Sequence, residues 1–390
     1  MTNSSAELYD VVIAGGGPGG ATLAALLARE TQLRVLVLEA ERFPRDHIGE
    51  SFVHPIIPNL ERSGALGKVL ASECWVKKYG GYYAWDPAQP WATYFEHEQH
   101  ENDGFYRWAI HVNRAEFDQI LLDHAAASGA EVREETPVTA VERVGDHTRV
   151  TLGERGEVRC RLFVNATGRT SNTTISGEKA FLSAYRNIAI WGHVRDAKPA
   201  QSLAGDWNIF KEEDLSPIGN FAFDDGWVWY IPVPRMVDGV RVRAHSVGIV
   251  TDPAALKQPG KDFRDPALFM ATVREIPLLR ELVGDATLIG DTLHTATNYS
   301  RISGKMCDWE SKEIRIGDAA FFVDPLFSSG VNFAIIHATA AALLIKLTFD
   351  EATPGACPAR SVGRLRGQLA RRRACLRGGD RSVVPRDFPG

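Results

Sequence analysis

Three glycines near the start of the chain have the spacing of a phosphate-binding turn. Gly15, Gly17 and Gly20 follow an apolar run over residues 9–14 and precede a helix-forming run. The first glycine permits a tight turn, the second lets the backbone approach a pyrophosphate, and the third permits close packing of helix on strand. A second apolar strand ends at Glu39, where a carboxylate can bind a ribose hydroxyl. This segment predicts an α/β, Rossmann-like domain that holds a dinucleotide.

Further polar and small residues stand where they could support the same ligand. Arg114 opens an amphipathic helix and could reach a phosphate or ribose, although an exposed arginine is just as ordinary there. Asp318 follows an apolar strand and either caps a helix or binds ribitol hydroxyls. Small residues at 328–330 precede the next helix and expose backbone N–H groups, which suits an anion such as chloride. The glycine fingerprint is not repeated, which suggests one tightly held dinucleotide.

Trp227 and Trp229 are separated by one residue. On an extended strand, both indoles would project from the same face and form a bulky, rigid wall. The following Ile231-Pro232 is expected to end the extended run, because proline cannot donate to a central ladder. Taken alone, the pair is explained equally well as two core tryptophans of a sandwich strand.

Together these motifs resemble those of flavin-dependent halogenases, within the class of flavoprotein monooxygenases. The glycine fingerprint and Gly317-Asp318 are shared with hydroxylases, whereas W-x-W-x-I-P at 227–232 and F-x-x-P-x-x-S-x-G at 322–330 are more particular to halogenases. With the run at 43–51, the resemblance covers residues 9 to about 335. It implies a Rossmann-like FAD-binding domain of the monooxygenase type, interleaved with a β-sheet substrate domain.

The resemblance also implies a reaction. In that family reduced FAD, supplied by a separate flavin reductase, reacts with molecular oxygen to give a C4a-hydroperoxide, which oxidises chloride or bromide to hypohalous acid. The oxidant travels through a tunnel to a lysine beside the aromatic substrate, where it is held as a chloramine or by hydrogen bonding. Lys78 matches the family's lysine before x-Gly, with Lys77 as the fallback. Without the family context, either would be read as a solvated strand residue.

Other site residues follow from the same resemblance. The backbone amides of Ser329 and Gly330 would bind the halide, and Val331 would contact FAD. A wall on the flavin side would keep organic substrate away from the hydroperoxide, so that halide is oxidised instead. That wall would consist of Trp227, Trp229 and Pro325.

One departure from the family narrows the expected substrate. Tryptophan halogenases carry a catalytic glutamate just before the Ser/Thr pair, and this position is Phe327 here. A phenol or pyrrole needs less acid–base help than an indole carbon, and residues 79–81 also resemble the phenol- and pyrrole-type branch. We therefore expect a phenol-like natural-product precursor, free or tethered to an acyl or peptidyl carrier protein. The rival functions are an FAD-dependent aromatic hydroxylase and an inactive flavin-binding remnant.

Composition fits a cytoplasmic enzyme. A length of 390 residues exceeds one typical domain, and a net charge of -5 argues against a nucleic-acid binder. Five cysteines without a C-x-x-C pair suit reduced thiols. We expect neither a signal peptide nor a membrane span. A metal site is not expected at the H-E-x-H run, residues 97–100, because it lacks the i, i+4 spacing of a helical zinc site.

Domain boundaries are predicted as follows. The FAD-binding domain is predicted to be discontinuous and to comprise residues 1–74, 105–175 and 286–350. The substrate domain, a β-sheet, is predicted to comprise residues 75–104 and 176–285. Residues 351–390 form an atypical tail with nine Arg and two Asp from Ala356 onward, unlike a packed element. We expect that such a tail results from truncation or an altered reading frame. The alternative is that its basic residues dock to an acidic carrier protein.

Overall fold

The structure is a computed structural model. It describes residues 7–95, 106–169, 179–182, 186–198, 218–297 and 299–349. The H-E-x-H run and the Arg-rich tail lie outside these residues. Residues up to Ala341 form one compact unit, and the end of the last helix belongs to a second.

The described residues form 21 strands and seven α-helices. In chain order the strands are β1 (Leu8–Ala14), β2 (Val35–Leu38), β3 (Trp75–Lys78), β4 (Gly80–Ala84), β5 (Trp91–Tyr94), β6 (Ala109–Val112), β7 (Glu131–Arg133), β8 (Ala140–Val144), β9 (His147–Thr151), β10 (Glu157–Asn165), β11 (Lys179–Phe181), β12 (Ile188–Arg195), β13 (Ile218–Phe223), β14 (Gly226–Val237), β15 (Val240–Thr251), β16 (Thr287–Leu288), β17 (His294–Thr297), β18 (Arg301–Ser303), β19 (Cys307–Asp308), β20 (Glu313–Arg315) and β21 (Phe321–Phe322). The helices are α1 (Pro18–Glu30), α2 (Ile56–Ser63), α3 (Leu66–Ala71), α4 (Arg114–Ala127), α5 (Pro266–Glu275), α6 (Pro277–Val283) and α7 (Gly330–Phe349).

The first large sheet is built around parallel strands in the order β20, β10, β1, β2, β7. Residues such as Val12, Leu36 and Phe163 are fully buried, as expected for parallel strands covered on both faces. The connection from β1 to β2 is α1, whose Pro18 suits the first helical position because an N–H there has no acceptor within the helix. The carboxyl ends of β1, β2, β10 and β20 thus meet at one edge, where ligands bind in such sheets.

The second large sheet is mainly antiparallel, in the order β16, β12, β15, β14, β13, β4, β5, with β17 also paired to β12. Its two faces have different cores. Val228 and Tyr230 of β14 pack in the cluster that includes α5 and α6, whereas Trp227 and Trp229 belong to a separate cluster on the opposite face. Alternation along the strand therefore places both indoles on one face, as their spacing predicts. We call this side of the sheet the indole face.

The expected end of the strand at Pro232 is wrong. β14 continues to Val237, and Pro232 and Pro234 pair in register with His245 and Arg243 of β15. The strand tolerates them because β13 pairs with β14 only as far as Tyr230. Two prolines spaced by two residues direct their missing N–H groups to the same side, and we infer that this is the side without a partner strand.

These two sheets give the mixed α/β architecture that the sequence predicts. All strands of the first sheet fall within the ranges expected for FAD binding. The second sheet includes β16 and β17 at 287–297, so the predicted boundary at residue 285 falls just before its last two strands.

The helix α7 is long and apolar enough to cross a membrane, judged by length and composition alone. A core helix of a soluble protein meets the same criterion, so the finding does not establish a span.

A buried histidine in the second sheet gives a test of this packing. His245 is 1% exposed and stacks on Tyr230 with ring centroids 4.4 Å apart. Burial, aided by the charge of Arg243, lowers the pKa of His245 to about 3. Between pH 6.5 and 3 the unfolded chain therefore binds a proton that the folded chain does not. The free energy of unfolding consequently decreases as the pH is lowered.

We predict that His245→Leu removes this dependence, because the variant has no imidazole to protonate. The free energy of unfolding, measured by denaturant titration from pH 7 to 4, should fall less steeply than in the wild type, by roughly 1 kcal/mol per pH unit. The control is His147→Leu, at a partly exposed histidine. Equal slopes for wild type and His245→Leu would contradict the assignment.

Candidate functional site

A cavity of about 700 Å³ lies where the carboxyl edge of the first sheet meets the indole face of the second. It is lined by residues from segments that are far apart in sequence. Of the residues predicted to act in the site, those that line it are Gly15, Gly17, Glu39, Arg114, Trp227, Trp229, Asp318, Pro325, Ser329, Gly330 and Val331. Gly20 and Lys78 lie outside this lining.

The glycine turn has three different steric requirements. Gly15 has a positive φ of 105°, and a Cβ there would lie 2.3 Å from the oxygen of Ala166. A Cβ at Gly20 would lie 1.9 Å from the oxygen of Gly15. At Gly17 the nearest atom to a Cβ would be a guanidinium nitrogen of Arg45, 3.9 Å away. The turn is therefore open toward the cavity at Gly17, which fits close approach by a pyrophosphate.

Glu39 lies at the carboxyl end of β2 and is 6% exposed. Its Oε2 accepts a hydrogen bond from the backbone N–H of Gly16 at 2.6 Å, and its Oε1 accepts one from Glu41 at 2.9 Å. Each carboxylate oxygen can accept more than one bond, so the side chain fixes the glycine turn and keeps capacity for a ribose hydroxyl.

The two arginines near this turn have different surroundings. Arg114 gives two 2.8 Å hydrogen bonds to Asp118 and two more to the carbonyls of Ile48 and Gly49. It therefore holds the loop that precedes Ser51 and α2, in addition to lining the cavity. Arg45 also lines the cavity and faces Gly17. Sequence reasoning missed Arg45, although it lies in the run at 43–51 that carried the resemblance.

The second turn of the site precedes α7. Asp318 lies in a short 3₁₀ turn, Gly317–Ala319, after β20. Ser329 accepts a 2.9 Å hydrogen bond at its carbonyl from the N–H of Phe333, so α7 begins directly after it. The first amides of an α-helix have no acceptors within the helix. Those of Gly330 and Val331 are therefore available to an anion or to a cofactor in the cavity.

The indole face forms the opposite wall. The rings of Trp227 and Trp229 have centroids 6.1 Å apart, inclined at 56°. The indole N–H of Trp229 donates to Ser246 Oγ at 3.1 Å. Gly248 pairs with Trp229 across the sheet, and a Cβ there would lie 2.1 Å from the indole ring. Sequence reasoning missed Gly248, whose signal is an isolated glycine within a strand.

Lys78, the last residue of β3, is 2% exposed. Its Nζ donates to Ser51 Oγ at 2.8 Å, and Ser51 Oγ lies 3.2 Å from Ser328 Oγ. Ser51 and Ser328 both line the cavity, so Lys78 is one hydrogen bond away from it. Burial lowers the pKa of Lys78 to about 7, which leaves a large share of neutral amine at neutral pH.

Lys77 has a different environment. Its ammonium lies 4.9 Å from the ring centre of Tyr79 and 5.5 Å from that of Trp108, and cation–π contacts to both rings result. Successive strand residues project to opposite faces, so Lys77 and Lys78 leave β3 on opposite sides.

A carboxylate that the sequence did not single out immediately precedes Ser51 in the chain. Glu50 precedes Ser51, lines the cavity and is 2% exposed. Its Oε1 lies 2.7 Å from His193 Nε2. Burial acts to raise the pKa of Glu50, but His193, Ser246 and Arg235 outweigh burial and hold that pKa below its usual value. Glu50 is thus a charged group at neutral pH.

No cluster of three or more His, Cys, Asp or Glu residues that could hold a metal occurs in the part of the chain that the structure describes.

Comparisons with known proteins agree on one family. The sequence profile of the tryptophan halogenases matches residues 10–106 and 91–354. The chain is 29% identical over 344 residues to a tryptophan 2-halogenase of Chondromyces crocatus, covering 86% of this chain and 60% of that protein. It is 32% identical over 376 residues to a flavin-dependent halogenase of Armillaria mellea, covering 86% and 64%. The chain thus spans less than two thirds of the length of either relative.

A third relative has a carrier-bound substrate in its name. The chain is 30% identical over 356 residues to the 1H-pyrrole-2-carbonyl peptidyl-carrier-protein chlorinase of Pseudomonas fluorescens, covering 84% of this chain and 73% of that protein. Among solved structures, the myxobacterial chondrochloren halogenase, an FAD-dependent halogenase, superposes with a TM-score of 0.74 and 30% identity, covering 88% of this chain and 76% of that one. The predicted fold class is confirmed.

The two arginines give a test of the cofactor site. We predict that Arg45→Gln weakens FAD binding by about 10- to 100-fold. The guanidinium of Arg45 faces the glycine turn, and without it the pyrophosphate would lose a charge-assisted hydrogen bond. Arg114→Gln should mainly lower the unfolding temperature, since the buried Asp118 would lose both 2.8 Å hydrogen bonds and keep only Arg45 at 3.7 Å. Flavin fluorescence titration and thermal unfolding measure the two effects. Arg42→Gln, at an exposed neighbour, is the control, and equal FAD affinity for Arg45→Gln and wild type would refute the role of Arg45.

Proposed function

Because the chain belongs to the tryptophan halogenase family, we propose that it is an FADH2-dependent halogenase that delivers hypohalous acid to Lys78 for electrophilic halogenation of an electron-rich aromatic ring. The observation that supports this most is the position of Lys78. Its amine is sealed from solvent and linked through Ser51 to the cavity. A buried lysine with a lowered pKa is an efficient nucleophile at neutral pH.

The residues present fit the cofactor. The glycine turn is open at Gly17 and would receive the pyrophosphate beside Arg45. Glu39 and Asp318 line the cavity at the ends of β2 and β20 and would bind ribose and ribitol hydroxyls. Bound reduced FAD, supplied by a separate flavin reductase, would provide together with molecular oxygen the oxidising equivalents that turn halide into hypohalous acid.

The halide would bind at the start of α7. The amides of Ser329 and Gly330 lie on the cavity, and the positive end of a helix favours an anion. Val331, in the same turn, would contact the flavin. Chloride and bromide have the same charge, and this turn accepts either.

The indole face would keep the two halves of the reaction apart. Trp227, Trp229 and Pro325 line the cavity on the side where halide and flavin would meet. The indole of Trp229, held by Ser246 and packed on Gly248, would leave little room for an organic substrate. A small, neutral oxidant could pass toward Lys78 where an aromatic ring could not.

The acceptor is proposed to be a phenol-like ring, free or on a carrier protein. Phe327, which replaces the glutamate of tryptophan halogenases, is 63% exposed and supplies no acid or base. An already activated ring needs less help of that kind. The name of the Pseudomonas relative supports a carrier-bound acceptor.

We predict that Lys78→Met abolishes halogenation, by at least about 100-fold, while FAD binding is retained. The assay contains the protein, FAD, a flavin reductase, NADH, oxygen and chloride or bromide, and the halogen isotope pattern is measured on free and carrier-tethered phenols. If the neutral amine accepts the halogen, the rate should rise with pH through about 7, because protonation below that pKa removes its lone pair.

Three outcomes would contradict the proposal. A product that gains oxygen without halogen would indicate a hydroxylase, and FAD binding without any product would indicate an inactive remnant. Loss of activity in Lys77→Met with retention in Lys78→Met would transfer the role to the other lysine.

We also predict that Trp229→Leu releases more hydrogen peroxide per product formed, because a smaller side chain admits water and substrate to the flavin side. Leucine keeps the cluster apolar and limits the cost to the fold. Peroxide and product are measured in the same reaction, with Trp309→Phe in the turn after β19 as control. An unchanged ratio of peroxide to product would exclude the partition role.

A further inference from the structure

We propose that Glu50 is a further catalytic residue, whose carboxylate accepts the O–H of hypohalous acid and turns the halogen toward Lys78. The inference rests on the proposed function. It starts from a buried polar atom, Glu50 Oε2. Glu50 Oε1 is engaged by His193 at 2.7 Å. Oε2 is buried and accepts no hydrogen bond of normal length and angle in the part of the chain that the structure describes, although the Ser246 hydroxyl lies near the carboxylate.

A buried carboxylate oxygen without a partner costs stability, because water no longer solvates it. Such groups in native structures call for an explanation, and a ligand that donates a hydrogen bond is one. Glu50 belongs to the cavity lining, so a ligand in the cavity is close to it. Glu50 therefore has the acceptor capacity and the location for a small donor.

The backbone around Glu50 is held firmly. Its carbonyl accepts a 2.8 Å hydrogen bond from the N–H of Val112, and the N–H of Phe52 donates to Ile110 at 3.1 Å. Ser51 forms a bridge with His111 of the same strand, β6. This backbone fixes two neighbours with separate roles: Ser51 contacts Lys78, and Glu50 contacts His193.

The charge of Glu50 selects between the species in the cavity. A carboxylate repels a halide ion or hypohalite, which are both anions. Neutral hypohalous acid has an O–H that can donate to it, and a charge-assisted bond of this kind is strong. With the O–H directed at Glu50, the halogen end is left for the amine.

The transfer then balances as a simple substitution. The nitrogen of the neutral Lys78 amine forms a bond to the halogen, and the oxygen–halogen bond breaks with its electron pair on oxygen. A proton passes from nitrogen to that oxygen, giving water and the neutral haloamine. The halogen keeps its oxidation state, so no further oxidant or reductant is needed.

Glu50 would thereby supply a carboxylate in a chain that has Phe327 where tryptophan halogenases have their glutamate. The two positions differ in the fold. Phe327 is 63% exposed, whereas Glu50 is 2% exposed and lies in the cavity lining directly before Ser51.

The test compares Glu50→Gln with wild type in three measurements. Halogenated product should fall by about 10- to 100-fold, as expected for loss of a charge-assisted hydrogen bond. FAD affinity and total hypohalous acid, collected with a small reactive β-diketone trap, should stay within about twofold of the wild type, a shift of roughly 0.4 kcal/mol or less. Glu142→Gln, which neutralises an exposed carboxylate in the first sheet, is the control.

A second variant separates chemistry from structure. Glu50→Ala leaves space for a small carboxylate, and added formate should restore part of the product rate without changing FAD affinity. Wild-type product rates in Glu50→Gln, loss of FAD binding in that variant, or absence of formate rescue would each overturn the inference. If wild type forms neither hypohalous acid nor product, the proposed function itself fails, and the inference falls with it.

Discussion

The burial of one amine without an opposite charge is the constraint on which the site depends. Lys78 is 2% exposed and donates to the neutral oxygen of Ser51, and it forms no ion pair within the described ranges. Burial destabilises the charged ammonium form of Lys78, and this lowers the pKa of Lys78 to about 7. A carboxylate as its direct partner would reverse the effect and hold the ammonium. Glu50, the cavity carboxylate that precedes Ser51, is engaged with His193 instead.

The rest of the architecture maintains this arrangement. Ser51 and Glu50 lie on a segment paired with β6, and Lys78 lies on β3, which pairs with β6 through the register of Lys78 with Ala109. The same short sheet therefore carries the lysine and its hydrogen-bond partner. Arg114 holds the preceding loop through Ile48 and Gly49, so a residue expected to bind cofactor also stabilises the lysine path.

The sequence predicted those features that depend on local pattern. Period-two alternation placed Trp227 and Trp229 on one face, and glycine spacing predicted the turn at Gly15. It could not identify Glu50, Ser51 or Gly248, because their partners are distant in sequence. Glu50 contacts His193, 143 positions away, and Ser51 contacts Lys78, 27 positions away. Gly248 faces Trp229, 19 positions away, through a strand register that no short stretch of sequence reveals. Sequence reasoning also ended β14 too early at Pro232, since proline propensity does not show which side of a strand lacks a neighbour.

The charges that line the cavity differ from place to place. Those at the glycine turn and at the start of α7 would favour an anion, whereas the charge of Glu50 would favour a neutral oxidant over an anion. The glycine turn faces Arg45, and the start of α7 offers backbone amides, so anionic groups are favoured there. Glu50, a buried carboxylate of the cavity lining directly before Ser51, would repel an anion close to it. A halide ion entering this cavity therefore gains at the helix start and loses near Glu50. In the proposed reaction, oxidation would remove the negative charge of the halide, and passage toward Lys78 would become favourable only then. This electrostatic order would separate oxidation from transfer even without a moving lid.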